Sequence, residues 1–264
     1  MSTRGRKRKS LVIAVLLGGG LIPACSLGEG QGSITGTLSA PNCWSGPFSL
    51  RPDFYAGVPF RDSFQMRIQS SGDFETFSDG LSVLVDDVHE IRPDRGPGHL
   101  GEPLAVSLPP EVTAPGVPVK ANPNPATVHL ALYLQRTCRT QNVALYATEK
   151  VALNPDGSCG DSPGTAAIDI RTSCTVPSAS SPPPTDSGST AVGTSTITFL
   201  HLFNNDPEET NAAERLTEGT FDVYLADPRE VCPGGLGPPP RCQGHLTGSF
   251  KFYFQRGHPG QPFP

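Results

Sequence analysis

Carboxylates, histidines and aromatic side chains are the groups here that can bind or react, and their spacing limits what chemistry they can do. Asp86 and Asp87, followed by Glu90 and Asp94, crowd the end of one alternating run. Calcium takes about six to eight oxygens, so this cluster is a candidate cation loop. Its spacing matches no calcium-loop pattern, however, and a solvated acidic turn accounts for it as well. His89-Glu90 opens like a zinc-protease helix, but a second histidine is missing and Pro93 would break the helix. His129 has the opposite parity to Val128, Leu130 and Leu132 and lies beside Tyr133. It is expected in solvent or under a second packing layer. His201, between Phe199 and Phe203, is expected to be half-buried and poised for function. Trp44, Phe54-Tyr55, Phe60, Tyr224 and Tyr253 are candidates for a recognition surface, with structural cross-strand pairing as the competing account. No Ser-x-x-Lys and no P-loop occurs, and no catalytic residue is assigned.

The N-terminus carries a different kind of chemistry. Arg4, Arg6, Lys7, Arg8 and Lys9 precede the apolar run Leu11 to Leu17, which is too short to span a bilayer. The run leads to Leu21-Ile22-Pro23-Ala24-Cys25. Ile22-Pro23-Ala24-Cys25 resembles the lipobox of bacterial lipoprotein precursors, a resemblance confined to the first 25 residues. It implies that residues 1–24 are a signal peptide and that Cys25 becomes a lipidated N-terminus carrying palmitate-type acyl chains. Each buried CH₂ contributes about 0.8 kcal/mol, so two or three chains anchor firmly where one does not. Ser26, in place of an aspartate, implies the outer membrane, facing the periplasm or the cell surface. Residues 25–32 would then be the lipidated cysteine and a flexible tether.

With Cys25 committed to lipid, Cys43, Cys138, Cys159, Cys174, Cys232 and Cys242 remain. An even number in an exported chain points to disulfides, and no Cys-x-x-Cys is present to favour a metal. Nearest-neighbour pairing would give Cys232–Cys242 and Cys159–Cys174, leaving Cys43–Cys138.

The elements that must position these groups read as strands. Ile34/Leu38, Phe64/Met66/Ile68, Leu81/Val83/Val85, Leu104/Val106/Leu108, Val128/Leu130/Leu132/Leu134, Phe221/Val223/Leu225 and Phe250/Phe252/Phe254 all alternate. Val143 to Leu153 and Ile168/Ile170 add two more runs, and Ser78-Asp79-Gly80 and Asn154-Pro155-Asp156-Gly157 read as turns. Asp206-Pro207 with Glu209 predicts one helix, running to about Thr217. The chain is therefore expected to be mainly β: an antiparallel β-sandwich or jelly-roll-like domain with long Pro/Gly-rich loops and one short helix. That domain would cover 33–255, with a low-complexity loop at 178–195 and a flexible tail at 256–264.

The leader holds five of the 20 Lys and Arg, so its removal leaves 15 basic against 25 acidic residues. A balance this acidic opposes binding to phosphate backbones, and no nucleic-acid partner is expected. These features favour a lipid-anchored, non-catalytic binding or scaffolding protein whose partner is an envelope protein or a surface glycan. The alternative is an envelope hydrolase acting on carbohydrate or peptide through dispersed carboxylates. No cofactor is expected beyond the calcium candidate. Cys25→Ser is predicted to abolish lipid labelling and to block the lipoprotein-type cut. Normal membrane retention of that variant would refute the anchor.

Overall fold

In the computed structural model, the described residues are 30–60, 62–70, 78–93, 98–108, 113–114, 117–118, 128–140, 143–160, 191–203, 211, 213–231 and 238–253. Their strands are β1 (Gly30–Ala40), β2 (Trp44–Leu50), β3 (Phe54–Phe60), β4 (Ser63–Gln69) and β5 (Asp79–Val85). After the helix α1 (Val88–Ile91) come β6 (Pro103–Ala105), β7 (Thr113–Ala114), β8 (Val117–Pro118), β9 (Val128–Leu134) and β10 (Ala144–Ala147). β11 (Lys150–Ala152), β12 (Val192–Thr194), β13 (Thr196–His201), β14 (Leu216–Ala226) and β15 (Gly244–Tyr253) complete the set.

Eleven of these strands form one sheet in the order β2-β1-β15-β14-β10-β9-β5-β4-β3, with β13 joined to β14 and β6 joined to β13. Pairing between these strands is antiparallel throughout. β14 is the branch. β15 pairs with it from Leu216 to Leu225. On its other side, β13 takes Glu218 to Asp222 and β10 takes Leu225 and Ala226. The sheet curls there, so that the two halves share one apolar core. Phe64, Met66, Ile68, Leu81, Val83, Leu130 and Leu132 from one half are at most 1% exposed, as are Ile197, Phe199, Phe250 and Phe252 from the other. Each fully buried phenylalanine stabilises by about 2–3 kcal/mol. Phe64 and Phe203 meet at 5.6 Å across this core with their planes tilted by 40°, and Phe199 and Phe250 meet edge-on at 6.0 Å.

The far edge, β3, returns over the start of β1. Tyr55 stacks on Phe252 at 5.7 Å and covers Gly30. A Cβ at Gly30 would lie 2.2 Å from the Tyr55 ring, so only glycine fits beneath it. β1 starts at Gly30, within the segment expected as tether.

Several local expectations are corrected. Leu216 and Thr217, expected in a helix, begin β14, and Ala213–Arg215 is a single 3₁₀ turn. Ten residues of pairing with β15 outweigh a helix-start signal at Asp206, which itself lies outside the described residues. Among the described residues the one α-helix is α1, capped by Asp87 and finished ahead of Pro93. Val106 and Leu108 are buried but outside the three-residue strand β6. Asp79 and Gly80 belong to β5 and not to a turn. The buried Asp79 carboxylate accepts from Arg136 N (2.9 Å), Thr137 N (3.0 Å) and Thr137 Oγ1 (2.6 Å), which fixes the turn after β9. The run from Val143 to Leu153 divides into β10 and β11. Ile168, Ile170 and Phe254 lie outside the described residues.

Among the described residues the disulfides are Cys43–Cys138, as expected, and Cys159–Cys242, which replaces the expected Cys159–Cys174 and Cys232–Cys242. The cause is lateral pairing. Ala152 N donates to Pro240 O and Cys242 N to Ala152 O, and this lays the segment after β11 beside the approach to β15. Cys174 and Cys232 lie outside the described residues. The two rings join residues 95 and 83 apart in sequence. On loop entropy alone each contributes about 4–5 kcal/mol.

Burial, and then the Asp53 carboxylate, push the Tyr55 hydroxyl up to about 12. The folded chain thus holds this proton more tightly than the unfolded one, whose tyrosines ionise near pH 10. The resulting stabilisation is intact below about pH 10 and is lost as pH rises towards 12. Denaturant unfolding between pH 9 and 11.5 should therefore lose stability more gently in Tyr55→Phe than in the native chain. Parallel losses would exclude this role.

Candidate functional site

Three residue types of an acyl-transfer triad converge at the end of β5. His129 is 3% exposed, with Nε2 at 2.8 Å from Asp86 Oδ2 and Nδ1 at 2.9 Å from the Ser107 backbone carbonyl. The arrangement is not a triad. A triad requires imidazole against the serine hydroxyl, whereas the Ser107 hydroxyl donates to Leu108 O. Here the imidazole links β9, the β5–α1 corner and the exit of β6. The outward parity read from the sequence is correct, but the Ser107 segment and Asp86 bury the ring.

The rest of the acidic cluster disperses. Asp87 accepts from His89 N at 2.9 Å as the α1 cap, and His89 Nε2 lies 3.6 Å from Asp62. Asp94 lies outside the described residues. Among the described residues no three His, Cys, Asp or Glu side chains group as a metal site. Other described carboxylates are engaged by cations: Glu214 by Arg92 (2.7 Å), Glu230 by Arg241 (2.6 Å) and Glu218 by Lys251 (2.9 Å). Asp227, likewise, is paired with Arg229.

His201 is exposed rather than half-buried, because a β-bulge between Phe199 and His201 breaks the alternation that would have turned it inward. Phe54 and Tyr55 are 0% and 3% exposed and belong to the interior, not to a recognition surface. The Phe60 side chain lies outside the described residues. Tyr253 is exposed at the end of β15. Tyr224 is half-buried and stacks on its cross-strand neighbour His245, with centroids 4.2 Å apart and planes 6° apart. His245 Nε2 lies 2.6 Å from Asp222 Oδ1.

Trp44 stands apart from the other aromatics. It is 39% exposed and opens β2 directly after a turn in which Asn42 takes φ 58° and Cys43 N donates to Ala40 O. It is among the residues lining a groove of about 650 Å³, as are Thr37, Ser39 and His245, which the strand register sets on the opposite face of the sheet. The facing wall is residues 157–160. Gly157 takes φ 79° and donates to Asn154 O, as the turn requires. A Cβ at Gly160 would sit 3.1 Å from Ser39 Cβ, so this wall rests against β1. Asn154 Nδ2 donates to Ser158 Oγ at 3.1 Å, and Ser158 donates twice to Asp156 Oδ1. Those two bonds, the hydroxyl's first, hold the Asp156 carboxyl below the usual carboxylate range.

Each wall is pinned by one disulfide: Cys43–Cys138 (Cα–Cα 5.5 Å) under the Trp44 turn, and Cys159–Cys242 (4.8 Å) under the other. No Lys, Arg, Asp or Glu lines the groove. The sequence names Trp44 and the cysteines individually. It does not bring them together, because the groove is made where residues 37–46, 157–160 and 245 converge. Both disulfides fit an exported, non-cytoplasmic protein. Among the described residues no helix is long and apolar enough to cross a membrane.

Two short strings carry motif spacing without motif surroundings. Gly160-Asp161-Ser162-Pro163-Gly164 matches a nucleophile-elbow pattern, yet it follows a turn and a disulfide where that motif requires a strand. Gly96-Pro97-Gly98-His99-Leu100-Gly101 has dinucleotide-loop spacing but comes after α1 and ahead of β6, not between a strand and a helix. Ser162 and Gly96 lie outside the described residues.

A structural His129–Asp86 link predicts that His129→Ala and Asp86→Ala each lower unfolding free energy by about 1–3 kcal/mol. The double variant should fall short of the sum by at least about 0.5 kcal/mol in denaturant titrations. Strict additivity would show that the two side chains do not act together. Compared with known proteins, the chain matches no family model, no curated protein and no solved structure.

Proposed function

We propose that this chain is a lipid-anchored envelope protein whose β domain binds a partner and does not catalyse a reaction. Cys25 carries the lipid, Ser26 directs the product to the outer membrane, and the curled sheet presents its groove to an envelope protein or a surface glycan. The observation that carries this reading is the groove itself. An exposed tryptophan lies at its edge, and its two walls are each covalently fixed. Walls held in place before a partner arrives lower the ordering cost of binding.

The competing hydrolase reading has less to draw on. Where the described Ser107, His129 and Asp86 meet, the serine takes part through its backbone carbonyl and not its hydroxyl, and the described carboxylates of β14 and its flanks are bound to cations or to His245. A photo-reactive residue in place of Ser45, in full-length lipidated protein on intact cells, is expected to give an adduct that Trp44→Ala removes. An adduct indifferent to Trp44, or turnover of carbohydrate or peptide substrates by the purified protein, would count against this function.

A further inference from the structure

We infer that the end of the sheet where β1 begins, β15 finishes and β14 begins lies on the lipid surface, with Tyr253 in the headgroup layer and Arg215 against lipid phosphate. This rests on the lipid-anchor reading above and adds to it which end of the domain the anchor holds down.

The reach of the chain limits where that end can be. Gly30 opens β1 and pairs with Phe252 of β15, with the Tyr55 ring closed over it. Residues 26–29 alone separate it from Cys25, and the five Cα steps between the two extend at most about 18 Å. Acyl chains on Cys25 therefore keep this end of the sheet within that distance of the bilayer.

The same end carries side chains suited to a headgroup layer. Among the described residues, the exposed large apolar or aromatic side chains are Trp44, Val192, Leu200 and Tyr253. Tyr253, 44% exposed, is the last residue of β15 and pairs with Leu216 at the start of β14. Leu200 occupies the β13 bulge, between the levels of Gly219 and Glu218. A tyrosine joins an apolar ring to a polar hydroxyl and so favours the boundary between acyl chains and water. Arg215 immediately precedes Leu216, and among the described residues no carboxylate pairs with it. Its Nε is buried without a hydrogen-bond partner. That leaves its charge available to a phosphate, whose oxygens match guanidinium donors. Lys251 and Glu218, two residues further in, neutralise each other.

Trp44 marks the opposite end. It pairs with Ala40, the last residue of β1, about 33 Å from Gly30 at the rise of a strand. As the chain's one tryptophan it serves as an internal control. Full-length lipidated protein would be reconstituted in vesicles of phosphatidylethanolamine and phosphatidylglycerol, part of the lipid carrying a nitroxide near the top of the acyl chain. In the native chain the emission comes from Trp44, and in Trp44→Phe/Tyr253→Trp it comes from position 253. Both replaced side chains are exposed, so the fold is kept. Nitroxide is expected to quench position 253 at least about twofold and to leave Trp44 unchanged. Adding Arg215→Gln should lower the quenching at position 253 by about a quarter or more.

No quenching at position 253 overturns the inference, as does equal quenching of Trp44, which would mean that the domain lies on its side. Quenching unaltered by Arg215→Gln overturns the phosphate contact. Palmitate labelling of Cys25 in the same preparation separates the two readings. If Cys25 is labelled and position 253 is unquenched, the anchor stands and the docked end falls. If Cys25 is unlabelled, both fall.

Discussion

The backbone hydrogen bonding of β14 is the constraint on which the rest of this structure depends. Leu216–Ala226 is paired along one side by β15 and is divided on the other between β13 and β10. One strand therefore belongs to both halves of the sheet, and the curl that encloses the core occurs at its C-terminal end. Ser195 reinforces the branch, since its hydroxyl accepts from Tyr224 N at 2.9 Å and donates to Tyr224 O at 3.2 Å. The same strand sets the site. Tyr224 and Asp222 face outward from it and fix His245, and His245 floors the groove.

Much of the fold was legible because an antiparallel sheet with one buried face writes a two-residue period into its strands. Phe64, Met66 and Ile68, or Val128 to Leu134, could hardly be read otherwise, and each lies where that period puts it. The misreadings share a cause: contacts remote in sequence overrode a local signal. Asp206-Pro207 is a fair helix start, but Leu216 and Thr217 are claimed by β15. His201 has the right parity for burial until a bulge resets it. Cys232 is the nearest cysteine to Cys242, yet the neighbour of Cys242 across the backbone bonds is Ala152, and Cys159 follows Ala152.

The site was less legible than the fold, for a related reason. Trp44 is conspicuous as the single tryptophan, but nothing in its neighbourhood along the chain marks residues 157–160 or His245 as its companions. His129, with Asp86 and Ser107, shows the converse. The residue types suggest catalysis, and only the atoms involved reveal a structural cross-tie.

The two disulfides close consecutive rings, Cys43 to Cys138 and Cys159 to Cys242, that neither overlap nor nest. A peptide bond cut inside either ring leaves both fragments joined through sulfur. Detaching one ring from the other requires a cut between them, in residues 139–158, which include β10 and β11. A single cut within either ring therefore leaves the groove joined to the N-terminus through sulfur.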